Sequence, residues 1–487
     1  MLPIKILLIK PYQPCKGISH SPILGLLYLV STLREKFGDK VQVKLIDAKL
    51  KSMSAMDLLA DISDADIIGL NALNYESEAI FEIANLAKRC DPKKIVALGG
   101  PYAHKRAEEI LGKCSDLDWV FEGESERAFP QAVEHFMNNN ISNGNVPSMF
   151  FRSSDGKIIV PTSYDFVEDL DSIPFPAWDL VDFDEYSSVS SQNGWIKGKR
   201  YSTIFTSRGC PYRCTYCHDV FGKRFRKRSP ENVVAEMRLL IDKYGVDEFH
   251  VVDDIFNLDK GRVKKIFSLL KESYPNRQFH FCFPNGLRAD ILDKEVILAL
   301  KEAGTYQVAL AIETVTPRLQ TLIEKNLKLN RTLESIRLLD EQGIIVKGFF
   351  MLGFPTETPQ EIWNTIKFAM NSRLSLAGVF IVTPQPGTKI YDLAIQEGPE
   401  AIKKMVDNTI YYGRGWYEET YGLPLNLIVF FTLLIFHIHP RRLWVIFSRI
   451  SFKHKVNMVK QFCSLLKIEK LMYRKNQKRY GSVLSIG

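Results

Sequence analysis

Short apolar runs alternate with amphipathic segments along the first 135 residues of the chain. Residues 4–9, 41–46, 67–70, 95–98 and 119–121 read as buried strands, and 23–37 and 78–89 carry helical spacing between them. This rhythm predicts an α/β unit: a doubly wound, flavodoxin-like parallel sheet with helices on both faces. Such sheets bind ligands in the crevice at the carboxyl ends of their strands. Gly99-Gly100-Pro101 follows one predicted strand and Gly123-Glu124 follows another. Both are candidates for that crevice, and both also read as plain tight turns.

From residue 200 the alternation resumes on a longer beat. Strands are predicted at 202–206, 248–252, 279–283, 307–312, 346–352 and 377–382, with helices at 230–243, 260–273, 294–303 and 359–370 among those between them. Six such units suggest a full or partial barrel, (β/α)6, whose chemistry would sit at the carboxyl ends of the strands. Polar clusters fall there: Cys210 after the first strand, Asp253-Asp254 after the second, Glu313 after the fourth and Gly353-Phe354-Pro355 after the fifth. The stretch between the two units is irregular, with a hairpin turn at 153–156 and an extended Pro-Phe-Pro-Ala-Trp-Asp-Leu linker at 174–180. The expected layout is a front domain over 1–140, a linker over 141–194, the barrel over 195–400 and a helical, basic tail over 401–487.

Charge alters this picture only at the end of the chain. Arg441 onward carries twelve Lys or Arg against Glu469, which is +11 of the net +8, so the preceding 440 residues sum to −3. A nearly neutral body gives no nucleic-acid surface. In the tail, 423–438 is an apolar run too short to span a bilayer, which needs about 20 residues. Beyond it Phe452, Val456, Val459, Cys463 and Leu466 share one helical face, with Arg449, Lys453, Lys455, Lys460 and Lys467 elsewhere. That pattern suits a helix lying in an anionic membrane interface or one packed on the barrel. No secretory segment opens the chain, so the expected location is cytoplasmic, extending to the inner membrane surface.

Five of the eight cysteines stand alone; Cys210, Cys214 and Cys217 cluster as Cys-x3-Cys-x2-Cys directly after a predicted strand. In a reducing compartment clustered cysteines point to metal binding or catalysis sooner than to disulfides. Three thiolates on one loop can hold three corners of a 4Fe–4S cube and leave the fourth iron open to a small ligand. Gly209 and Pro211 suit a tightly wrapped loop, and Arg208 and Arg213 are placed to offset the cluster's negative charge. A zinc site with His218 as fourth ligand, or unligated thiols, are the competing readings.

The spacing, the aromatic Tyr216 before the last cysteine and the strand-loop context resemble the radical S-adenosylmethionine (radical SAM) enzymes. The resemblance covers about residues 195–400. Segment 252–256, Ala311-Ile312-Glu313, the Gly348–Thr358 stretch and segment 383–388 are similar to that family's later barrel motifs, in order. It implies a 4Fe–4S cluster on the three cysteines, SAM contacts from Tyr216, Asp253, Glu313, Gly353 and Pro355, and reductive cleavage of SAM to a 5′-deoxyadenosyl radical. Asp253 and Asp254 also read as helix caps, and Glu313 as a salt-bridge residue at the barrel mouth. An external donor such as flavodoxin or ferredoxin would supply the electron.

A flavodoxin-like domain ahead of such a barrel resembles the cobalamin-binding branch, which includes magnesium-protoporphyrin ester cyclases, hopanoid-modifying enzymes and methyltransferases. The resemblance implies cobalamin, with Gly99, Gly100, Pro101, Gly123 and Glu124 lining it. The sequence departs from one pattern: no Asp-x-His-x-x-Gly is present, so no histidine of that motif would ligate cobalt. The implied activity is methylation of an unactivated carbon of a small-molecule substrate, lipid-like or tetrapyrrole in character. Radical oxidation or ring closure without methyl transfer is the alternative within enzymes, and a non-catalytic cobalamin or cluster sensor the alternative outside them.

Overall fold

Two mainly parallel sheets, joined by a buried linker, organise the chain. The computed structural model describes residues 3–449, apart from 13–19, 74–75, 139–145, 154, 190, 192–194 and 403–415. The amphipathic tail segment around Phe452–Lys467 therefore lies outside the described residues.

The front sheet contains β1 (Ile4–Lys10), β2 (Val41–Asp47), β3 (Ile67–Asn71), β4 (Ile95–Gly99), β5 (Trp119–Phe121), β6 (Met149–Arg152) and β7 (Ile158–Ile159), in spatial order 2-1-3-4-5-6-7. The first five strands are parallel; β6 and β7 add an antiparallel hairpin whose turn falls where 153–156 was expected. Helices α1 (Leu24–Phe37) and α5 (Ala128–Met137) cover one face. On the other lie α2 (Leu59–Asp64), α3 (Ser77–Cys90) and α4 (Ala107–Lys113). This is the doubly wound arrangement, with its switch of strand order between β1 and β3.

The linker is not a loose tether. Trp178 is fully buried and its indole N–H donates to Glu236 at 3.0 Å, on the barrel helix α7 (Pro230–Tyr244); a short helix, α6 (Phe183–Ser188), lies between. Glu236 also accepts from Arg228, so the linker enters the barrel's own polar interior.

The second sheet runs β8 (Tyr201–Ile204), β11 (Glu248–Val251), β12 (His280–Leu287), β13 (Thr305–Glu313), β14 (Ile345–Leu352) and β15 (Leu376–Ile381), all parallel and in sequential order. β8 and β15 are edges, so the barrel is partial. A small antiparallel pair, β9 (Ser207–Arg208) with β10 (Arg226–Lys227), brackets the cysteine loop. Outer helices α7, α8 (Lys260–Ser273), α9 (Lys294–Glu302), α10 (Pro317–Leu322), α11 (Leu329–Glu341) and α12 (Pro359–Asn371) bury Val, Ile, Leu and Phe from the outward faces of the strands. Further helices α13 (Lys389–Glu397), α14 (Trp416–Tyr421), α15 (Leu425–Ile438) and α16 (Pro440–Arg449) follow.

Helices beyond residue 400 pack on the barrel. Helix α15 packs against β15 and α12, burying Leu425, Thr432 and Phe436. Arg442 of α16 lies over the Phe436 ring at 3.7 Å, and its guanidinium donates to the carbonyls of Ala369, Met370 and Ser372 that terminate α12. Arg441 pairs with Asp340 at 2.6 Å. Arg441 and Arg442, which open the basic stretch, thus satisfy a carboxylate and helix-end carbonyls rather than face a membrane.

Candidate functional site

The cysteine loop begins at Gly209, whose positive φ of 78° no L side chain adopts readily. A Cβ there would lie 2.3 Å from the Arg224 carbonyl oxygen, so the loop folds back on itself at a point only glycine can occupy. The Gly209 N–H donates to Asp254 at 3.0 Å, and further along Thr215 is clamped twice. Its N–H donates to the Ile323 carbonyl, and its carbonyl accepts from the Ile390 N–H. Across the loop, the Arg288 guanidinium stacks on Tyr212 at 3.7 Å.

Cys210, Cys214 and Cys217 are all free thiols, partly exposed on this one loop. Burial and then the other two thiols push Cys217 up to about 12. Burial also raises the Cys210 thiol, and thiols held neutral in this way need a cationic partner to become thiolates, which is what an iron–sulfur cube supplies. Among the described residues no three His, Cys, Asp or Glu side chains converge on a single-ion site. A cube takes each thiolate on a different iron, so the donor set fits it.

Beside the loop, Glu313 ends β13 at a register shift against β14, with φ of 67°. Such strained, bulged positions cluster at functional sites. Its Oε1 accepts from the Tyr216 phenol and from the Lys325 ammonium, both at 3.1 Å, while Lys325 also donates to the Tyr216 oxygen at 2.9 Å. Burial, then the Glu313 charge, pushes the Tyr216 phenol well above its usual range. The structure thus joins two expected residues, Tyr216 and Glu313, through a lysine that no motif had marked.

Asp253, expected at the cofactor, lies elsewhere. It is buried, and burial raises its carboxyl. Both oxygens are spent on the Thr206 N–H at 2.6 Å and on the hydroxyls of Thr206 and Ser207 at 2.5 and 2.6 Å. Its neighbour Asp254 holds Gly209; neither caps a helix, that role falling to Asp259 of α8. Gly353 and Pro355 form a buried turn closed by Glu357, which accepts the Gly353 N–H at 2.6 Å and the Phe354 N–H at 3.0 Å. A Cβ on Gly353 would meet Leu425 at 2.6 Å. Burial pushes Glu357 up to about 7, and its Oε1 has no partner among the described residues.

Among the described residues, ion pairs join the front domain to the barrel at two places. Arg208 and Arg226, one on each strand of the pair bracketing the cysteine loop, reach Glu126 and Glu124, both pairs at 2.6 Å and almost fully buried. Glu124 also accepts the Val167 N–H at 2.8 Å. Glu124, expected to line cobalamin, is therefore part of a buried ionic junction between the domains. Arg208, expected to offset cluster charge, faces the same junction and lies 5.1 Å from the Tyr28 ring centroid.

The second meeting point is the loop after β4. His104 Nε2 bonds Asp219 at 2.7 Å, and Lys105 bonds Asp219 and the Gly387 carbonyl at 2.9 and 3.2 Å. Although burial acts to raise it, these partners hold the Asp219 carboxyl at about 2. Gly100 has φ of 89° and packs against Ala72, and Gly99 ends β4 beside Asn71 of β3. Pro101 is exposed, and Gly123 lies against Val220 and Phe166. In these loops His104 Nδ1 and Glu76 Oε1 are buried without a partner among the described residues. Orphaned polar atoms at the carboxyl ends of β3 and β4 fit a ligand rimmed with amides, as a corrin is.

Comparison with known proteins agrees with this geometry. The radical SAM superfamily profile matches residues 204–369 and the B12-binding domain profile residues 19–133. An uncharacterized methyltransferase of Pyrococcus horikoshii is 30% identical over 400 residues, covering 80% of this chain and 83% of that one. The cytidylyl-2-hydroxyethylphosphonate methyltransferase of Streptomyces wedmorensis is 28% identical, covering 77% and 78%. In fold, the chain resembles the radical S-adenosylmethionine methyltransferase TsrM of Kitasatospora setae, solved with cobalamin and a 4Fe–4S cluster. That match has a TM-score of 0.66 at 18% identity, covering 82% of this chain and 78% of that one. A B12-binding sheet locked onto a partial barrel with a three-cysteine loop at its mouth places this chain in the cobalamin-binding branch of the radical SAM superfamily.

Proposed function

We propose that this enzyme transfers a methyl group to an unactivated carbon of a small molecule. The observation that carries the reading is the contact of His104 and Lys105 with Asp219, two residues past Cys217. It sets the carboxyl-end loops of the front sheet against the cysteine loop, so two cofactors would face one space. Cys210, Cys214 and Cys217 would hold the cluster; Tyr216, Glu313, Gly353 and Pro355 would surround SAM, with Lys325 balancing Glu313. Gly99, Gly100, Pro101 and Gly123 would border cobalamin. When bound, the cluster supplies the electron that opens SAM, and cobalamin supplies a methyl group. The residues of this chain fix the loop, orient Glu313 and keep the junction between the domains dry. A flavodoxin- or ferredoxin-type donor would deliver the electron from outside.

Anaerobic reconstitution with both cofactors, a strong reductant and chromatography of the adenosyl products tests the reading. 5′-Deoxyadenosine together with S-adenosylhomocysteine is the expected result. 5′-Deoxyadenosine alone would replace methyl transfer by radical oxidation or ring closure, and neither product would leave a sensor.

Contact with an anionic membrane surface belongs to the same reading. Helix α15 exposes Leu427, Phe431, Leu434, Ile435 and Ile438 along one side, and α16 adds Trp444, 66% exposed. Directly after them the chain continues with nine Lys or Arg and a single acidic residue from Ser451 onward. An apolar stripe followed by a basic segment suits a bilayer carrying negative headgroups. Among the described residues no helix is long and apolar enough to cross a membrane. A cluster on free thiols calls for a reducing compartment, which puts this contact on the cytoplasmic face.

A further inference from the structure

The inward face of the barrel is built for a ligand. On β14, Val346, Gly348, Phe350 and Leu352 are buried toward the outer helices, whereas Lys347, Phe349 and Met351 between them are only half-buried. The same alternation leaves Gly378 and Phe380 open on β15, with Phe380 51% exposed. Phe349 and Phe380 meet edge to face at 5.6 Å, and a Cβ on Gly378 would crowd both rings. On β12 and β13 the facing positions are Gly286 and Ala311, where a Cβ on the glycine would lie 3.3 Å from the alanine methyl. Small residues thus make a floor, and two phenyl rings make a wall.

Lys347 lies at the deep end of this surface. Its ammonium is 5.2 Å from the Phe349 ring centroid and has neither an acidic partner nor a hydrogen bond among the described residues. Burial lowers its proton affinity, against which only the nearby Cys282 thiol acts. The buried lysines among the described residues are each matched: Lys10 by Glu76, Lys94 by carbonyls of Ser63 and Ala65, and Lys325 by Glu313. A half-enclosed ammonium with no counter-charge is costly unless a ligand brings one.

We propose that the inner face of β12–β15 seats the substrate and that Lys347 receives an anionic group, carboxylate or phosphate-like, carried by an apolar ring system. The ring would lie over Gly286, Ala311 and Gly378 against Phe349 and Phe380. The proposal rests on the radical-enzyme reading only for the claim that the occupant is the substrate; the anion subsite stands on the barrel's own residues.

Binding of three probes to the reconstituted, full-length protein tests it: 1-naphthoate, 1-naphthyl phosphate and neutral 1-naphthamide, followed by anaerobic calorimetry. At least one anion binds the wild type about tenfold more tightly than the amide, the size of one charge-assisted hydrogen bond. Whichever anion wins distinguishes a carboxylate from a phosphate-like group. Lys347→Met abolishes the preference and Lys347→Arg retains it, with iron content and circular dichroism unchanged in both. Equal binding of the amide, no binding of any probe to the wild type, or a preference that survives in Lys347→Met overturns the subsite. Substrate-free formation of 5′-deoxyadenosine is read on the same samples. Its absence from the wild type counts against the radical-enzyme reading and leaves the probe result standing.

Discussion

Arg208, two residues before the first cysteine of the loop, reaches Glu126 of the front domain at 2.6 Å with both side chains almost wholly buried. With Arg226 and Glu124 this forms two ion pairs in the interior, where removing one partner leaves its mate charged and unsolvated. Arg208→Met is expected to cost about 3–5 kcal/mol of stability. Because the orphaned carboxylate causes most of that loss, adding Glu126→Met restores a large part. Denaturant unfolding of the two variants measures it; a double variant no more stable than the single one refutes the account.

The cysteine loop makes a compositional prediction. Cys210→Ala, Cys214→Ala and Cys217→Ala each lose most reconstituted iron and acid-labile sulfide, whereas Cys90→Ala, on the exposed end of α3, keeps both. Iron and sulfide assays per chain decide it, and wild-type iron in any of the three loop variants would show that the loop is not the cradle.

Lys325 offsets Glu313 beside the cysteine loop. Lys325→Met is expected to weaken SAM binding about tenfold, the loss of roughly 1.4 kcal/mol. Glu313 would be left charged in a site where only the Tyr216 phenol answers it. Lys325→Arg retains most of the affinity. Equilibrium binding of SAM to reconstituted variants checks this, and an unchanged constant for Lys325→Met removes the lysine from the site.

Stability depends on pH through Glu357. Its folded value of about 7 lies above the ordinary glutamate value of 4.5, so the fold favours the neutral acid. The contribution is fully present below 4.5 and is lost as pH rises through 7, amounting to ~3 kcal/mol. Melting temperature should therefore fall between pH 5 and about 7.5 in the wild type, and that slope should flatten in Glu357→Gln. Parallel pH–melting curves for the two proteins refute the assignment.

Membrane contact through α15 and α16 is expected to respond to surface substitutions that leave the barrel intact. Leu427→Ser, Phe431→Ser and Trp444→Ser combined should abolish flotation with anionic vesicles and leave the melting temperature within ~1 kcal/mol equivalent of wild type. Truncation before α15 is unsuitable because Leu425 and Phe436 are core residues. Flotation unaffected by the triple substitution ends the proposal. A change from dimer to monomer would assign the stripe to a second copy instead.

Both sheets were readable from the chain because parallel strands covered on two faces leave unbroken apolar runs, and the cysteine spacing is set by one loop. Lys325 was not readable. Its place beside Glu313 depends on the path after α10, and no local spacing records that path. Asp253 misled for a related reason: an aspartate after a barrel strand reads as a site residue, but here it ties down the end of the strand next to it through Thr206 and Ser207. The acidic stretch Glu122, Glu124 and Glu126 did carry a signal, carboxylates at every second position beside a buried strand. Its meaning depended on Arg208 and Arg226, which lie far along the chain. Of the tail, Arg441 and Arg442 turn inward while the apolar stripe on α15 faces out; the segment on which the two alternatives were posed, Phe452–Lys467, lies outside the described residues.

The double clamp on Thr215 has a consequence for biogenesis. The loop's shape between Cys214 and Cys217 is held by Ile323 and Ile390, segments the ribosome delivers long after the cysteines themselves. A nascent chain that has exposed the thiols but not yet those segments offers three flexible cysteines with no fixed geometry. The three-thiol loop can therefore take its fixed shape only once the chain has been made past Ile390.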